Sequence, residues 1–298
     1  MASTTANGIE IAYEALGEPG RPTVLLVAGL GEQLVSWHDA FCELLIGRGF
    51  RVVRFDNRDC GLSEGFDDAG IPDVAAGLMS GSLPDPPYTL DDMADDAIGL
   101  LDALDVDAAH VAGASMGGMI AQTVAINHPE RVHSLTSIMS TTGNRDLPRG
   151  TPQAWQGLLA PPVDPSDPDA IVERGLMIRR VLQSPGFPAA DDVLARRIRQ
   201  SVERAYRPAG IARQLAAVLA HGDRRPGLQK LDVPTVVLHG DADPLIPVEA
   251  GVDTAETVPG AELRVVEGMA HDFPDALVET FADAITAAAD RSGAPPAG

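Results

Sequence analysis

The chain has 298 residues, 45% of them hydrophobic and 22% charged, a balance typical of a soluble globular protein and not of a disordered one. Acidic residues outnumber basic ones 43 to 22, and a formal net charge of −21 makes nucleic acid an unfavourable partner. The two cysteines, Cys42 and Cys60, support neither a disulfide scaffold nor a cysteine-based zinc site.

The hydropathy pattern shows no sign of secretion or membrane insertion. No segment has the roughly 18 consecutive apolar residues needed to span a bilayer. The first eight residues have neither the basic start nor the apolar run of a secretory signal. We therefore expect a cytoplasmic protein.

Short apolar runs alternate along the chain with longer amphipathic stretches. The first run, residues 9–13, alternates between apolar and polar side chains and predicts a half-exposed edge strand. Six further runs lack that alternation, which is typical of parallel strands covered on both faces: residues 23–28, 51–55, 110–113, 135–139, 235–239 and 262–266. Helical spacing of apolar residues follows in three stretches: 90–104, 116–127 and 277–289. This alternation predicts an α/β fold with a doubly wound, mostly parallel sheet.

The alternation of strands and helices stops after Ser140 and resumes at Val233. A stretch rich in Pro and Gly comes first, and three helical patterns follow it: residues 170–183, 191–205 and 209–220. We therefore predict a helical cap at residues 144–226, inserted into a core made of residues 1–143 and 227–298.

The predicted cap differs from the core in charge. Between Arg174 and Lys230, twelve basic residues and four acidic ones give a net charge of +8. Because the whole chain has a net charge of −21, the remaining residues together carry −29. Two interpretations are open. The basic cap attracts an anionic substrate or an anionic membrane surface, or its arginines pair with the acidic core.

A GxSxG pentapeptide, residues 113–117, lies between a predicted strand and a predicted helix. In that position it is typical of a nucleophile elbow, in which a tight turn exposes the serine hydroxyl. Ser115 is therefore the candidate nucleophile. The backbone N–H of Met116 is expected to point to the place where an oxyanion forms.

A serine hydroxyl needs a general base, and the base needs an orienting acid. In this architecture the acid and then the histidine follow the serine, on loops after strands. Asp243 follows the predicted strand 235–239, and His271 follows the predicted strand 262–266. We predict His271 as the general base and Asp243 as the acid, with Asp241 as the competing acid. The remaining histidines lack this position and are expected to be structural.

The loop at residues 28–32 leaves a predicted central strand and is expected to supply the second oxyanion donor. The N–H of Leu30 is the expected donor, and the glycines on both sides of it give the backbone the freedom it needs. Trp37 either lines the substrate pocket or packs in the core, and the sequence leaves both roles open. The predicted substrate pocket is lined by four residues in or near this loop: Gly29, Gly31, Trp37 and His38.

Together these segments resemble the α/β-hydrolase superfamily over nearly the whole chain. The resemblance rests on four of them: residues 27–31, 54–59, 113–122 and 268–271. More narrowly, the chain resembles actinobacterial serine esterases and lipases of the aclacinomycin methylesterase and mycobacterial lipase/thioesterase type. Many relatives begin the oxyanion loop with His-Gly, where this chain has Ala28-Gly29. The resemblance implies triad and oxyanion positions for five residues: Ser115, Asp243, His271, Leu30 and Met116.

The expected function is hydrolysis of a carboxylic ester, a thioester or a phospholipid acyl ester through an acyl-enzyme intermediate. The expected partner is a small-molecule ester or thioester. Whether that substrate carries an anionic group stays open. Contact of the cap with a membrane surface stays open as well. No metal, organic cofactor or nucleic acid is expected. The same triad also serves cofactor-free haloperoxidases and C–C bond hydrolases, which are the alternatives.

Overall fold

A computed structural model describes residues 1–161 and 163–293 of the chain. Within these ranges, eight strands form one sheet: β1 (Ala2–Ala6), β2 (Ile9–Leu16), β3 (Thr23–Val27), β4 (Arg51–Phe55), β5 (Ala109–Ala114), β6 (Val132–Ile138), β7 (Thr235–Gly240) and β8 (Glu262–Val266). Their order across the sheet is β1-β2-β4-β3-β5-β6-β7-β8. The pairs β1–β2 and β2–β4 are antiparallel, and all other neighbouring pairs are parallel.

Helices connect these strands and cover both faces of the sheet. The described residues form α1 (Asp39–Gly47), α2 (Val74–Ser80), α3 (Leu90–Ala103), α4 (Met116–Asn127), α5 (Pro152–Leu159), α6 (Pro168–Leu182), α7 (Asp191–Arg204), α8 (Pro208–His221), α9 (Arg225–Leu228), α10 (Val248–Thr257) and α11 (Val278–Asp290). Within the described ranges, none of these helices combines the length and the apolar character needed to cross a bilayer.

The hydrophobic core lies in two layers, one on each face of the sheet. On β3, Leu25 and Val27 pack with α3 and α4, whereas Val24 and Leu26 pack with α1 and α11. Successive side chains of a strand point to opposite faces, so a strand that is apolar throughout must be covered on both sides. The predicted doubly wound, mostly parallel sheet is therefore confirmed.

The N-terminal edge of the sheet differs from the prediction. The strand predicted at residues 9–13 is present as β2, but its predicted position at the edge of the sheet is wrong, because β1 pairs with the outer side of β2. Asn7 and Gly8, with φ of 48° and 79°, form the two-residue turn between the strands, as Asn-Gly does in hairpins. β1 has the sequence Ala-Ser-Thr-Thr-Ala and lacks the apolar alternation by which a strand is recognised.

Between β6 and β7 the chain forms α5 to α9 and, where it is described, no strand. The three helices predicted in this region correspond to α6, α7 and α8. Helices α6 and α7 pack on each other, and α8 contacts α2 and α3. The boundary of a separate cap domain at residues 144–226 stays a prediction, and the term "cap segment" below means these residues.

Candidate active site

The serine of the pentapeptide lies in the one-residue junction between β5 and α4. Ser115 has φ 57° and ψ −122°, a conformation that is strained for a residue with a side chain. The surrounding backbone holds it there. Its N–H donates to the carbonyl of Ile138 at 2.9 Å, and its carbonyl accepts the Ser140 hydroxyl at 2.8 Å. The residue is half-buried, so part of its surface is exposed to solvent.

The glycines around Ser115 are required by close backbone contacts. A Cβ atom on Gly113 would lie 2.0 Å from the carbonyl oxygen of Gly117. A Cβ atom on Gly117 would lie 2.0 Å from the carbonyl oxygen of Val27. No side chain fits at such distances, so the helix can approach the strands this closely only with glycine at both positions.

Ser115, His271 and Asp243 form a continuous chain of hydrogen bonds at the carboxyl edge of the sheet. The Nε2 atom of His271 is 2.9 Å from the Oγ atom of Ser115, and its Nδ1 atom is 2.7 Å from Oδ2 of Asp243. The three residues follow β5, β8 and β7, whose carboxyl ends lie at the same edge because these strands are parallel. The histidine and the aspartate are both largely buried.

The surroundings of Asp243 keep its side chain ionised. Its Oδ1 atom accepts the N–H groups of Leu245 and Ile246, each at 2.9 Å. Burial alone would raise the pKa of Asp243, but the charge and hydrogen bond of His271 outweigh it and hold that pKa below its usual value. A carboxylate only accepts hydrogen bonds, so Nδ1 of His271 carries the proton and Nε2 is left to accept from Ser115.

The competing acid, Asp241, has a different contact. Its Oδ1 atom accepts the N–H of Gly268 at 2.7 Å and thereby braces the loop before His271. His239, expected from the sequence to be structural, is fully buried; its Nε2 atom is 2.8 Å from the carbonyl oxygen of Ile246 and 3.7 Å from Oδ2 of Asp243. Burial lowers the pKa of His239, which favours the neutral ring. Its position at the end of a strand, four residues before Asp243, was the available signal for that proximity.

The predicted oxyanion loop forms a tight turn beside Ser115. The N–H of Glu32 donates to the carbonyl of Gly29 at 3.1 Å, which closes a four-residue turn. A Cβ atom on Gly29 would lie 3.4 Å from the Cβ atom of Ser115, so the turn lies directly against this residue. Among the described residues, no protein atom accepts the N–H of Leu30 or of Met116. Neither N–H group is therefore committed to an acceptor in the described part of the chain, as an oxyanion donor requires.

Two of the predicted pocket residues pack against aromatic side chains. Trp37 is only 2% exposed; its ring stacks on Phe41 and meets Phe273 edge-on, with centroids 5.7 and 5.5 Å apart. The His38 ring also contacts Phe273, and its Nδ1 atom is 3.6 Å from Oδ1 of Asp275. Of the two open roles for Trp37, these contacts favour core packing.

Most basic residues of the cap segment have carboxylate partners. Of the twelve bases counted from Arg174 to Lys230, eight form ion pairs within the described part of the chain. Five of these eight bases pair with carboxylates of the core: Arg179–Glu32, Arg197–Asp275, Arg204–Asp56, Arg213–Asp59 and Arg225–Asp253. The pairs favour the interpretation in which cap arginines neutralise the acidic core.

The connection between α6 and α7 contacts the loop that carries His271. The carbonyl of Leu182 accepts the N–H of His271 at 3.0 Å, and the hydroxyl of Ser184 accepts the N–H of Ala270 at 2.8 Å. The N–H of Ser184 donates to Oδ1 of Asp272 at 3.1 Å. Sequence reasoning missed Ser184, because no local pattern relates it to a loop more than 80 residues away.

A strained serine at a strand-to-helix junction, hydrogen-bonded to a histidine and an aspartate on later loops, is the arrangement of an α/β hydrolase. The chain belongs to the alpha/beta hydrolase fold family, whose profile matches residues 22–275. The family expected from the sequence, and its hydrolase class, are thereby confirmed.

Two similar proteins are rhodomycin D methylesterases. The chain is 28% identical to the one from Streptomyces sp. (strain C5) and 29% identical to the one from Streptomyces peucetius, and each alignment covers 95% of this chain and 96% of the relative. These relatives confirm the narrower resemblance to methylesterases. The solved structure of a meta-cleavage product hydrolase from Pseudomonas fluorescens IP01 superposes with a TM-score of 0.76 at 18% identity, covering 98% of both chains, and confirms the fold.

Proposed function

We propose that the protein is a serine hydrolase that cleaves carboxylic esters, with Ser115, His271 and Asp243 as its catalytic triad. The observation that carries the proposal is the hydrogen-bonded chain from the Ser115 hydroxyl through His271 to Asp243, with distances of 2.9 and 2.7 Å. The methylesterase names of two relatives that match nearly the whole chain support an ester as the substrate.

The reaction proceeds in two halves. Ser115 attacks the ester carbonyl while Nε2 of His271 takes its proton, and Asp243 stabilises the imidazolium ion that results. The N–H groups of Leu30 and Met116 donate to the tetrahedral oxyanion. His271 then protonates the leaving alcohol, which departs and leaves an acyl group on Ser115. Water, activated by the same histidine, releases the acid and restores the serine.

The proposed substrate is a small-molecule ester or thioester. Both present a carbonyl to Ser115, and both leaving groups take the proton that His271 carries. A methyl ester is the first probe to choose, because the two named relatives are methylesterases.

The test compares the wild type with Ser115→Ala on a panel of methyl, p-nitrophenyl and thiol esters. We expect Ser115→Ala to lower kcat by at least about 10⁴-fold, because loss of a triad member leaves only binding and the oxyanion donors. A fluorophosphonate probe should label the wild type and not this variant. Ser134→Ala is the matched control, because Ser134 is buried and hydrogen-bonded to His110 within the sheet.

Wild-type turnover in Ser115→Ala would overturn the proposal. The protein could instead be inactive on all esters of the panel. Ser115-dependent cleavage of a vinylogous diketone would then identify a C–C bond hydrolase, and Ser115-dependent bromination with hydrogen peroxide would identify a haloperoxidase.

A further inference from the structure

Helix α8 of the cap segment lies directly on the oxyanion turn, residues 29–32. A Cβ atom on Gly31 would lie 2.8 Å from the side chain of Ile211. A Cβ atom on Gly210 would lie 2.0 Å from the carbonyl oxygen of Asp59 in the loop after β4. The helix therefore touches the turn and the neighbouring core loop with no space between them.

Gln214 of α8 connects these two core segments. Its Oε1 atom accepts the N–H of Gly31 at 2.9 Å, and its Nε2 atom donates to the carbonyl of Arg58 at 2.8 Å. A backbone N–H can only donate and a carbonyl can only accept, so the two partners determine the orientation of the amide. The Gln214 side chain is fully buried.

The neighbouring residue anchors the helix at this position. The guanidinium of Arg213 makes two hydrogen bonds to the carboxylate of Asp59, at 2.8 and 2.7 Å, and both side chains are buried. A buried, bidentate ion pair is sensitive to geometry. It keeps α8 in register with the loop after β4, and this places Gln214 opposite the turn.

The bond to Gly31 completes the hydrogen bonding of the turn. Gly31 has φ +67° at the third position of the turn, as a type II turn requires, and its N–H does not take part in the closing bond. Without Gln214 this part-buried N–H would lose its protein acceptor, and a rearranged turn that satisfied it would become more favourable. The position of the adjacent Leu30 N–H depends on the same turn.

We propose that Gln214 is a positioning residue that holds the oxyanion turn in its productive conformation, so that the cap segment contributes to transition-state stabilisation. This inference rests on the proposed function, in which the N–H of Leu30 is an oxyanion donor. Oxyanion donors act on the charge that develops in the transition state and depend on accurate placement. Loss of Gln214 therefore lowers kcat and leaves KM nearly unchanged.

The test uses Gln214→Met, which keeps the volume of the side chain and removes both hydrogen bonds. We expect kcat on a short-chain ester to fall at least about tenfold, toward the roughly 100-fold effect of losing one oxyanion donor. KM should stay within about twofold, because ground-state contacts are unchanged. Affinity for an alkyl boronic acid, which forms a tetrahedral adduct with the serine, should fall by about the same factor as kcat.

Gln122→Met is the matched control. Gln122 is also fully buried and makes two hydrogen bonds, to Ser137 and Arg224, and no hydrogen bond connects it to the turn in the described part of the chain. We expect this variant to lose comparable thermal stability while keeping kcat. If Gln214→Met matched Gln122→Met in kcat and in boronic acid affinity, the inference would be overturned.

A second variant covers the case in which Gln214→Met does not fold. Gln214→Glu keeps an acceptor for the N–H of Gly31 whether or not it is ionised, and it keeps a donor to Arg58 only when protonated, so kcat should stay within about threefold of the wild type. A tenfold loss of kcat at unchanged KM would contradict the role of the Gly31 bond. The Ser115→Ala variant separates the two proposals: if it keeps wild-type turnover, both fail, and if it is inactive while Gln214→Met is fully active, only the inference fails.

Discussion

Replacement of Asp243 by asparagine tests the proton positions in the triad, and the structure determines how the new amide must lie. Oδ1 of Asp243 accepts the N–H groups of Leu245 and Ile246, each at 2.9 Å. An asparagine turned the other way would direct its NH₂ group at two N–H donors, leaving both without an acceptor at about 1–3 kcal/mol each. In Asp243→Asn the amide oxygen therefore stays on these donors, and the NH₂ group faces His271.

That orientation reverses the tautomer of the histidine. An NH₂ group donates, so Nδ1 of His271 must accept, and the proton of the neutral ring moves to Nε2. A protonated Nε2 atom cannot take the proton of the Ser115 hydroxyl. We expect kcat to fall by about 10⁴-fold, equivalent to about 5.4 kcal/mol of transition-state stabilisation.

The assay is the steady-state hydrolysis of a p-nitrophenyl ester at neutral pH, with folding checked by circular dichroism. Asp241→Asn is the control: its oxygen can still accept the N–H of Gly268, as Oδ1 of Asp241 does at 2.7 Å, and kcat should change less than about threefold. A kcat for Asp243→Asn within tenfold of the wild type would refute the reasoning. So would a larger loss in the control than in Asp243→Asn.

Two further predictions concern stability and are measured by urea unfolding. Arg213→Met leaves the buried carboxylate of Asp59 without its cation and should lower the free energy of unfolding by about 3–5 kcal/mol. Adding Asp59→Asn to the same chain should recover part of this loss. A loss below about 1 kcal/mol in Arg213→Met would contradict the prediction. Burial lowers the pKa of His110 to about 4 from an ordinary 6.5, so the native state holds a neutral ring, and the unfolded chain takes up the proton first as pH falls. The stability that this ring contributes above pH 6.5 is lost toward pH 4, by about 2–3 kcal/mol between pH 7 and 4.5. His110→Gln should lose less over that interval, and an equal loss in both proteins would show that this ring is not responsible.

The parallel strands and the nucleophile elbow were predictable because their signals are local. A strand such as β3, apolar at every position, has to be covered on both faces whatever the rest of the chain does. The pentapeptide around Ser115 is equally local, since the contact of Gly113 with Gly117 spans four residues. The expected order of serine, acid and histidine then led to Asp243 and His271.

Other features carried weak signals or none. β1 is polar, and only the Asn7-Gly8 turn indicated that a strand precedes it. Helices α1 and α10 were not predicted, although α1 packs on β4 and α10 packs on β7 and β8. The basic cap segment left steering and pairing open, and the ion pairs from Arg179, Arg197, Arg204 and Arg213 to core carboxylates favour pairing.

By itself the sequence determined the class of fold, the strained serine and the order of its partners, because hydropathy and backbone sterics act between residues close together in the chain. Only the tertiary structure decided that Asp243, and not Asp241, contacts His271, and that Gln214 of the cap segment holds a turn 183 residues away. Such bonds depend on distances of about 3 Å between distant segments. Those distances are set by how the helices pack on the sheet, which no local pattern specifies.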